Sequence, residues 1–271
     1  MKNIAIYPSP YRDPERKFAS VVERQLANLG VRTTIVTDDT DVPAEAEMLI
    51  TLGGDGTILL CGTRTDVAGL PILGINIGHL GFMTGIRFDE LDMLDEIVQG
   101  EYKVSERLML DVEYCGERHL ALNEVSVRAK ASEAVKTAVY VDDKYLKTYF
   151  GDGLIVATPT GSTAWSLSAG SIPIDPETDA ILVTPVCSVD IGLKAFVANS
   201  NKVIMLEAAD VVLNIDGKRN LTAEIGEMEQ IRIRKAERVA KLVHPKDAPN
   251  FFNRVREKLC EHIDTLYDPI S

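Results

Sequence analysis

The stretch Met48-Leu49-Ile50-Thr51-Leu52-Gly53-Gly54-Asp55-Gly56-Thr57 decides the fold. Residues 48–52 form the continuous apolar run of a strand buried in a parallel sheet. Glycines follow at once, and a short helical pattern runs through 58–61. In open α/β sheets ligands bind outside the carboxyl ends of the strands. Glycines there let the backbone turn tightly and approach an anion without a Cβ in the way. The N–H groups of the loop and of the helix start then point at phosphate oxygens, which makes Gly53, Gly54, Gly56 and Thr57 candidate phosphate contacts. A carboxylate inside such a loop repels phosphate, so Asp55 needs a role that offsets this. Either it accepts a proton from an attacking hydroxyl or it holds a divalent cation, and both are parts of phosphoryl transfer. The structural alternative is a glycine-rich turn with Asp55 as a helix N-cap. Gly-Gly-Asp-Gly-Thr directly after a strand is far more specific than an isolated glycine pattern and favours the functional reading.

Working outward, the first hundred residues alternate strand and helix. Residues 4–7 read as a short strand; with one lysine and a short apolar stretch, residues 1–7 do not make a signal peptide. Asp13-Pro14 reads as an N-cap followed by proline at the first helical position. Phe18, Val21, Val22, Leu26 and Leu29 then share a helix face, and Gly30 stops the helix. Residues 32–36 and 71–75 read as strands. Residues 89–98 read as a helix with Leu91, Leu94, Ile97 and Val98 inward, ended by Gly100. Strands alternating with helices mean a parallel sheet covered on both faces.

Beyond residue 102 the pattern becomes runs of alternating polarity at 108–114, 119–128, 137–141 and 145–150, with turn signals at Asp142-Asp143 and Gly116-Glu117. More follow at 202–207, 211–215, 220–225, 230–234 and 238–243, as in an all-β region of hairpins. Phe251, Val255, Leu259 and Ile263 then return to helical spacing. The expected architecture is an α/β N-terminal domain with a parallel sheet (1–105) and a mainly antiparallel all-β C-terminal domain (106–245). A terminal helix (246–271) is expected to pack back on the first domain.

Composition narrows the function classes. The 271 residues carry a formal net charge of −12, which argues against a nucleic-acid partner, since phosphate backbones are held mainly by Lys and Arg. A small phosphorylated ligand needs only a local nest of backbone N–H groups, often with a metal. No apolar run approaches membrane-spanning length. The four cysteines, Cys61, Cys115, Cys187 and Cys260, are far apart, so free thiols in a reducing cytoplasm are expected rather than disulfides or zinc.

Two further segments carry chemistry. In the run from Gly151 to Gly170 (GDGLIVATPTGSTAWSLSAG), a strand over 154–157 enters a turn of small hydroxyl residues and then a short helix. Small residues permit close approach by a flat ligand, and the hydroxyls suit a ribose or an amide. Asp152 is a candidate acceptor for a ribose hydroxyl or an amide. The structural alternative is a Ser/Thr turn capping a helix. Asn123-Glu124 interrupts a strand pattern with two polar groups, which is costly if they are buried without partners. An amide and a carboxylate there suit a base edge and a ribose; an exposed strand end is the plainer alternative.

Together these residues resemble the NAD kinase family. The likeness covers Gly53 to Thr57, the run Gly74-Ile75-Asn76-Ile77-Gly78-His79-Leu80-Gly81-Phe82, Asn123-Glu124, Gly151 to Gly170, and Asp216-Gly217. The resemblance implies an α/β domain, a β domain and an active site between them, in a homodimer or homotetramer. It implies that Asp55 accepts the proton of the 2′-hydroxyl on the adenosine ribose of NAD, with Gly56 beside it. ATP, another nucleotide or polyphosphate would be the donor, its phosphates held by the glycine loop with Mg²⁺; no residue is assigned as a metal ligand. Asn123, Glu124 and Asp152 would contact NAD. Thr163, Ala164, Trp165, Ser166, Leu167 and Ser168 would line the nucleotide site, with Thr160, Cys187 and Asp216 as further candidates.

Three departures stand out. Leu60 occupies a position that is basic in many members, with Arg64 one turn further as the available substitute. Trp165 replaces a tyrosine, and Pro185 to Asp190 lacks a Pro-His-Ser continuation. In relatives this last stretch often approaches a neighbouring subunit's ligand. His79 is a candidate catalytic acid, with a packed or capping histidine as the alternative. His119, His244 and His262 show no metal-ligand spacing. A kinase of another hydroxyl, such as a lipid or sugar phosphate, and a non-catalytic dinucleotide sensor are the competing readings.

Overall fold

In a computed structural model, the structure describes residues 1–78, 81–131, 133–189, 192, 194–217 and 222–260. The chain divides into two compact units. One holds Met1–Ile58, Leu70–Ser105 and the segment from Lys241 onward; the other holds Leu59–Gly69 and Glu106–Ala240.

The first unit contains β1 (Asn3–Pro8), α1 (Lys17–Asn28), β2 (Arg32–Ile35), β3 (Met48–Gly53), the start of α2 (Asp55–Gly62), β4 (Pro71–Asn76), β5 (Ile86–Arg87) and α3 (Leu94–Val98). The strands pair in parallel in the order β2-β1-β3-β4, with β5 beside β4. The chain steps from β1 to β2 on one side and then crosses to β3 on the other. The carboxyl ends of β1 and β3 therefore flank a topological switch point, where open α/β sheets bind ligands. Every residue of β3 is buried. Ile4, Ile6, Ile50, Leu52, Leu73 and Ile75 form one core with Val22 and Leu26 of α1 and Leu94 and Ile97 of α3.

Two helices differ from the sequence expectation. α1 starts at Lys17 rather than Pro14, because Arg16 takes a left-handed conformation (φ 56°). Asp13 still caps it, accepting from the N–H groups of Phe18 (3.1 Å) and Ala19 (2.9 Å). The helix expected over 89–98 is a 3₁₀ segment (Phe88–Met93) followed by α3. The Glu90 carboxylate reaches back to the Arg87 N–H at 2.7 Å and tightens the first turn.

The second unit takes in β6 (Tyr102–Tyr114) from Glu106 on, β7 (Glu117–Ala121), β8 (Glu124–Ala129), β9 (Val135–Val141), β10 (Lys144–Gly151), β11 (Gly153–Ala157), α4 (Trp165–Ser168), β12 (Ala180–Val186), β13 (Phe196–Asn199), β14 (Ile204–Ala208), β15 (Val211–Ile215), β16 (Thr222–Ile225) and β17 (Glu229–Pro245) as far as Ala240. One sheet runs β10-β9-β14-β17 and the other β13-β12-β11-β8-β15-β16, with antiparallel pairings throughout. Alternate residues such as Val125, Val127, Leu154, Val156, Leu206, Ile231 and Ile233 meet in a single core. Asp142 and Asp143, the expected turn, are both left-handed (φ 49° and 60°), as a tight two-residue hairpin requires.

The runs at 230–234 and 238–243 are one strand, β17. The run at 119–128 is two, β7 and β8, broken at Leu122-Asn123. β12 and β13 add a pair that the sequence reading lacked. The end of β17 pairs in parallel with β4 (Lys241↔Pro71, Leu242↔Ile72), and α5 (Phe251–Leu259) follows, capped by Asn250, whose side chain accepts from the Asn253 N–H at 2.9 Å. Ile263 and the beginning of the run at 220–225 lie outside the described residues. No helix among the described residues is long and apolar enough to cross a membrane.

Candidate functional site

In the α/β unit the glycine loop leaves β3 at the switch point. A Cβ on Gly53 would run into the Thr57 side chain and stand 3.3 Å from the Cβ of Ser9, so only glycine lets β3 turn there. The Gly53 carbonyl accepts from the Ile77 N–H (3.1 Å) and the Ser9 N–H donates to Leu52 O (2.9 Å), which ties the loop to both neighbouring strand ends. Thr57 is buried, whereas Gly56 is exposed with open space around its Cα. The Arg12 guanidinium approaches Gly54 and Gly78, whose added Cβ atoms it would contact.

Asp55 is the first residue of α2, and its side chain does not cap that helix. Oδ2 accepts from the Phe82 N–H at 2.7 Å and Oδ1 from the Met83 N–H at 3.0 Å. A Cβ on Gly81 would overlap the same carboxylate. Each carboxylate oxygen has a second lone-pair direction, so a half-buried, aligned Asp55 keeps the capacity to accept a further proton donor. Arg254 of α5 supports this loop from behind, and nothing in the sequence reading pointed to it. Its only signal is a charge on the apolar face of α5, three residues after Phe251. The side chain is 6% exposed and donates to the carbonyls of Phe82 (3.0 Å) and Thr84 (2.8 Å). Burial lowers the guanidinium's pKa and the Asp55 charge works against that; an arginine stays protonated regardless. His79 and Leu80 lie outside the described residues.

In the β unit, the start of β8 and the ends of β11 and β15 come together, with Ala157 opposite Glu124 and Ile215 opposite Val125. Asp216, left-handed at φ 53°, accepts from the N–H groups of Leu122 (2.9 Å), Asn123 (2.8 Å) and Glu124 (3.2 Å). These bonds break the expected strand at 122–123. Thr158 completes the staple: its N–H donates to Asn123 O (2.8 Å) and its hydroxyl to Leu122 O (2.7 Å). Gly161 lies against the Asn123 backbone so closely that a Cβ would overlap it.

Held this way, Glu124 and Asn123 are 7% and 8% exposed. Among the described residues, Glu124 Oε2, Asn123 Oδ1, Thr160 Oγ1 and Ser166 Oγ are buried and find no hydrogen-bond partner, a costly state for a folded chain and one that a polar ligand relieves. Burial, aided by the Asp216 charge, pushes the Glu124 carboxyl up to about 8. It is then an acid that both donates and accepts at neutral pH.

The remaining candidates spread from there. Thr163 donates to Thr160 O at 3.2 Å; Ala164, Trp165 and Leu167 are half-buried and Ser168 is exposed. The Arg128 guanidinium sits 5.1 Å from the centre of the Trp165 ring. Arg128 is opposite Gly153, which places the indole toward the far end of β11. Asp152 and Cys187 are at that far end too, both exposed. The Cys187 thiol bonds to the Asp152 carboxylate, and that bond and charge push the thiol's pKa up. The structure thus does not bring Asp152 and Cys187 to Asn123 and Glu124. Arg64 grips Asp66 through two bonds (2.9 and 2.7 Å), so its fork is committed to that carboxylate rather than standing in for the missing base at Leu60. Asp190 lies outside the described residues. Among the described residues no cluster of three or more His, Cys, Asp or Glu side chains could hold a metal ion.

A carboxylate aligned in a glycine loop at a switch point, on a chain whose β unit carries unpartnered buried polar groups, defines a nucleotide-dependent phosphotransferase. Residues 12–102 match the ATP-NAD kinase N-terminal domain and residues 122–245 the ATP-NAD kinase C-terminal domain. An NAD kinase of Moorella thermoacetica is 39% identical over 248 residues, 88% of this chain and 78% of that protein. One from Caldanaerobacter subterraneus subsp. tengcongensis is 38% identical over 234 residues, 82% of this chain and 81% of that protein. The fold matches yeast NADH kinase complexed with NADH at a TM-score of 0.84 and 21% identity, covering 100% of this chain and 90% of that one. It also matches an Archaeoglobus fulgidus NAD kinase in complex with ATP at 0.75 and 24%, covering 93% and 96%. The chain belongs to the NAD kinase family.

Proposed function

We infer that this chain transfers the terminal phosphoryl group of ATP to the 2′-hydroxyl of the adenosine ribose of NAD, giving ADP and NADP. The observation that carries this reading is Asp55, fixed by two backbone N–H groups beside an open Gly56. A carboxylate so oriented can take the hydroxyl proton as the oxygen attacks phosphorus. The loop N–H groups would offset part of the phosphate charge, and a Mg²⁺ ion, when bound, would neutralise the rest. That ion commonly binds through the phosphates, waters and one or two carboxylates rather than a protein cage, which fits a loop with a single acidic residue. The buried Glu124, Asn123 and Thr160 groups suit the hydroxyls and exocyclic amine of an adenosine.

A homodimer or homotetramer belongs to the same proposal. The exposure of Asp152 and Cys187 at the far end of β11 from Glu124 supports contact there with a ligand held by a second copy.

The test is NADP formation by purified protein from NAD with ATP and Mg²⁺. Turnover that falls by about 10²–10⁴-fold in Asp55→Asn, with NAD affinity little changed, is expected. No NADP with ATP, GTP or polyphosphate, with Mg²⁺ or Mn²⁺, would sink the proposal; phosphorylation of a lipid or sugar in place of NAD would redirect it.

A further inference from the structure

The loop that orients Asp55 has its own anchor, and that anchor sits near the other end of the chain. Arg254 is the one residue of α5 that is buried among those described. Its guanidinium donates to Phe82 O and Thr84 O, while the N–H groups of Phe82 and Met83 donate to Asp55. The Phe82 peptide units are thus held from two sides, by the arginine on their carbonyl face and by the carboxylate on their N–H face. The Phe82 ring is fixed as well, with Lys258 Nζ 4.5 Å from its centre and the Phe251 ring 6.3 Å away. Gly81 leaves no room for a Cβ beside Asp55, so the loop cannot shift toward the carboxylate without a clash. Both bonds from Arg254 leave the same terminal nitrogen, Nη1, whose two hydrogens point in fixed directions in the guanidinium plane, and the compact, freely rotating ammonium of a lysine is not its equal.

We propose that Arg254 is a positioning residue for phosphoryl transfer: through the 82–84 backbone it sets the orientation of the Asp55 carboxylate toward the attacking hydroxyl. The proposal rests on the reading of Asp55 as the proton acceptor. Orientation matters steeply in such a step, since a misplacement of about 1 Å costs on the order of 10²-fold in rate. Arg254 makes no claim on substrate binding, so its loss acts on turnover and not on affinity.

The experiment is a double-mutant cycle in NADP formation with Asp55→Asn, Arg254→Met and both together, each checked for folding by circular dichroism. Arg254→Met is expected to lower kcat by about 10–100-fold with KM for NAD within about threefold. Arg254→Lys should recover part of that loss. In the Asp55→Asn background, Arg254→Met should cost nothing further, because the group it positions is gone. Where Arg254→Met does not fold, Arg254→Lys carries the same cycle. Equal losses in both backgrounds, or a loss confined to KM, would overturn the positioning role while leaving Asp55 in place. Full turnover in Asp55→Asn alone would instead overturn the base assignment on which the proposal stands.

Discussion

Replacing Glu124 by glutamine removes one ionisation from the buried end of β8, and its effect on stability can be worked out in advance. The Glu124 carboxyl stands at about 8 in the folded chain against an ordinary 4.5, mainly through burial and then through the Asp216 charge. A raised acid holds its proton in the folded state to higher pH than in the unfolded state. Stability is therefore intact below pH 4.5, falls as pH rises through the window between 4.5 and 8, and is fully reduced above it. At about 1.4 kcal/mol per pKa unit, the full reduction is about 5 kcal/mol. Glutamine does not titrate, so Glu124→Gln should lack this decline. The amide also brings two N–H donors to a site with an unpartnered oxygen, which adds an offset independent of pH. The informative quantity is thus the difference in slope. Trp165 is the single tryptophan of the chain and lies in the same unit, so its fluorescence reports urea unfolding of that unit. Between pH 5 and 8.5 the wild type should lose several kcal/mol relative to Glu124→Gln. Parallel profiles for the two proteins would refute the claim that the folded chain keeps Glu124 protonated.

Two further outcomes follow from the same geometry. Gly81→Ala drives a Cβ into the Asp55 carboxylate and should cut kcat by more than tenfold while shifting the melting temperature little, because the clash falls on a half-exposed side chain; steady-state kinetics and a thermal melt check both. Asp216→Asn leaves three backbone N–H groups with one carbonyl oxygen and no charge, which should cost about 1–3 kcal/mol. It should also lower the Glu124 pKa, read by NMR titration of the side-chain carboxyl.

How far the sequence reveals this molecule depends on whether the cause of each feature is local. The β3–loop–α2 joint is legible because strand, glycines and Asp55 are consecutive and fix one another's geometry. Asp13 is legible as a cap, but the helix start is not, because it turns on the left-handed Arg16 rather than on Pro14. The break between β7 and β8 is hidden because tertiary bonds make it: Asp216 takes N–H groups 92 to 94 residues away. Asp216 itself stands out as a candidate ligand contact, yet both its oxygens serve the backbone. Arg254 is the clearest case of illegibility. Its carbonyl partners are 172 and 170 residues earlier, and on the helix alone it shows only as a charge interrupting the apolar face. Arg64 is the converse, a cation that looks free in the sequence and is taken by Asp66 two residues on.

The α/β unit is assembled from pieces at both ends of the chain, and a ribosome delivers those pieces far apart in time. Its first two segments, Met1–Ile58 and Leu70–Ser105, emerge early. At about 5–20 residues per second, the remaining segment, beginning at Lys241, follows only after a delay on the order of ten seconds. Until then β4 has β3 on one side but lacks β17 on the other, at Pro71 and Ile72, and the loop that holds Asp55 lacks Arg254. The rest of the β unit, Glu106–Ala240, is translated within that interval. A nascent chain can therefore complete the half with the buried Glu124 before the half with Asp55, and a chain arrested anywhere in between carries the glycine loop without the arginine that steadies it.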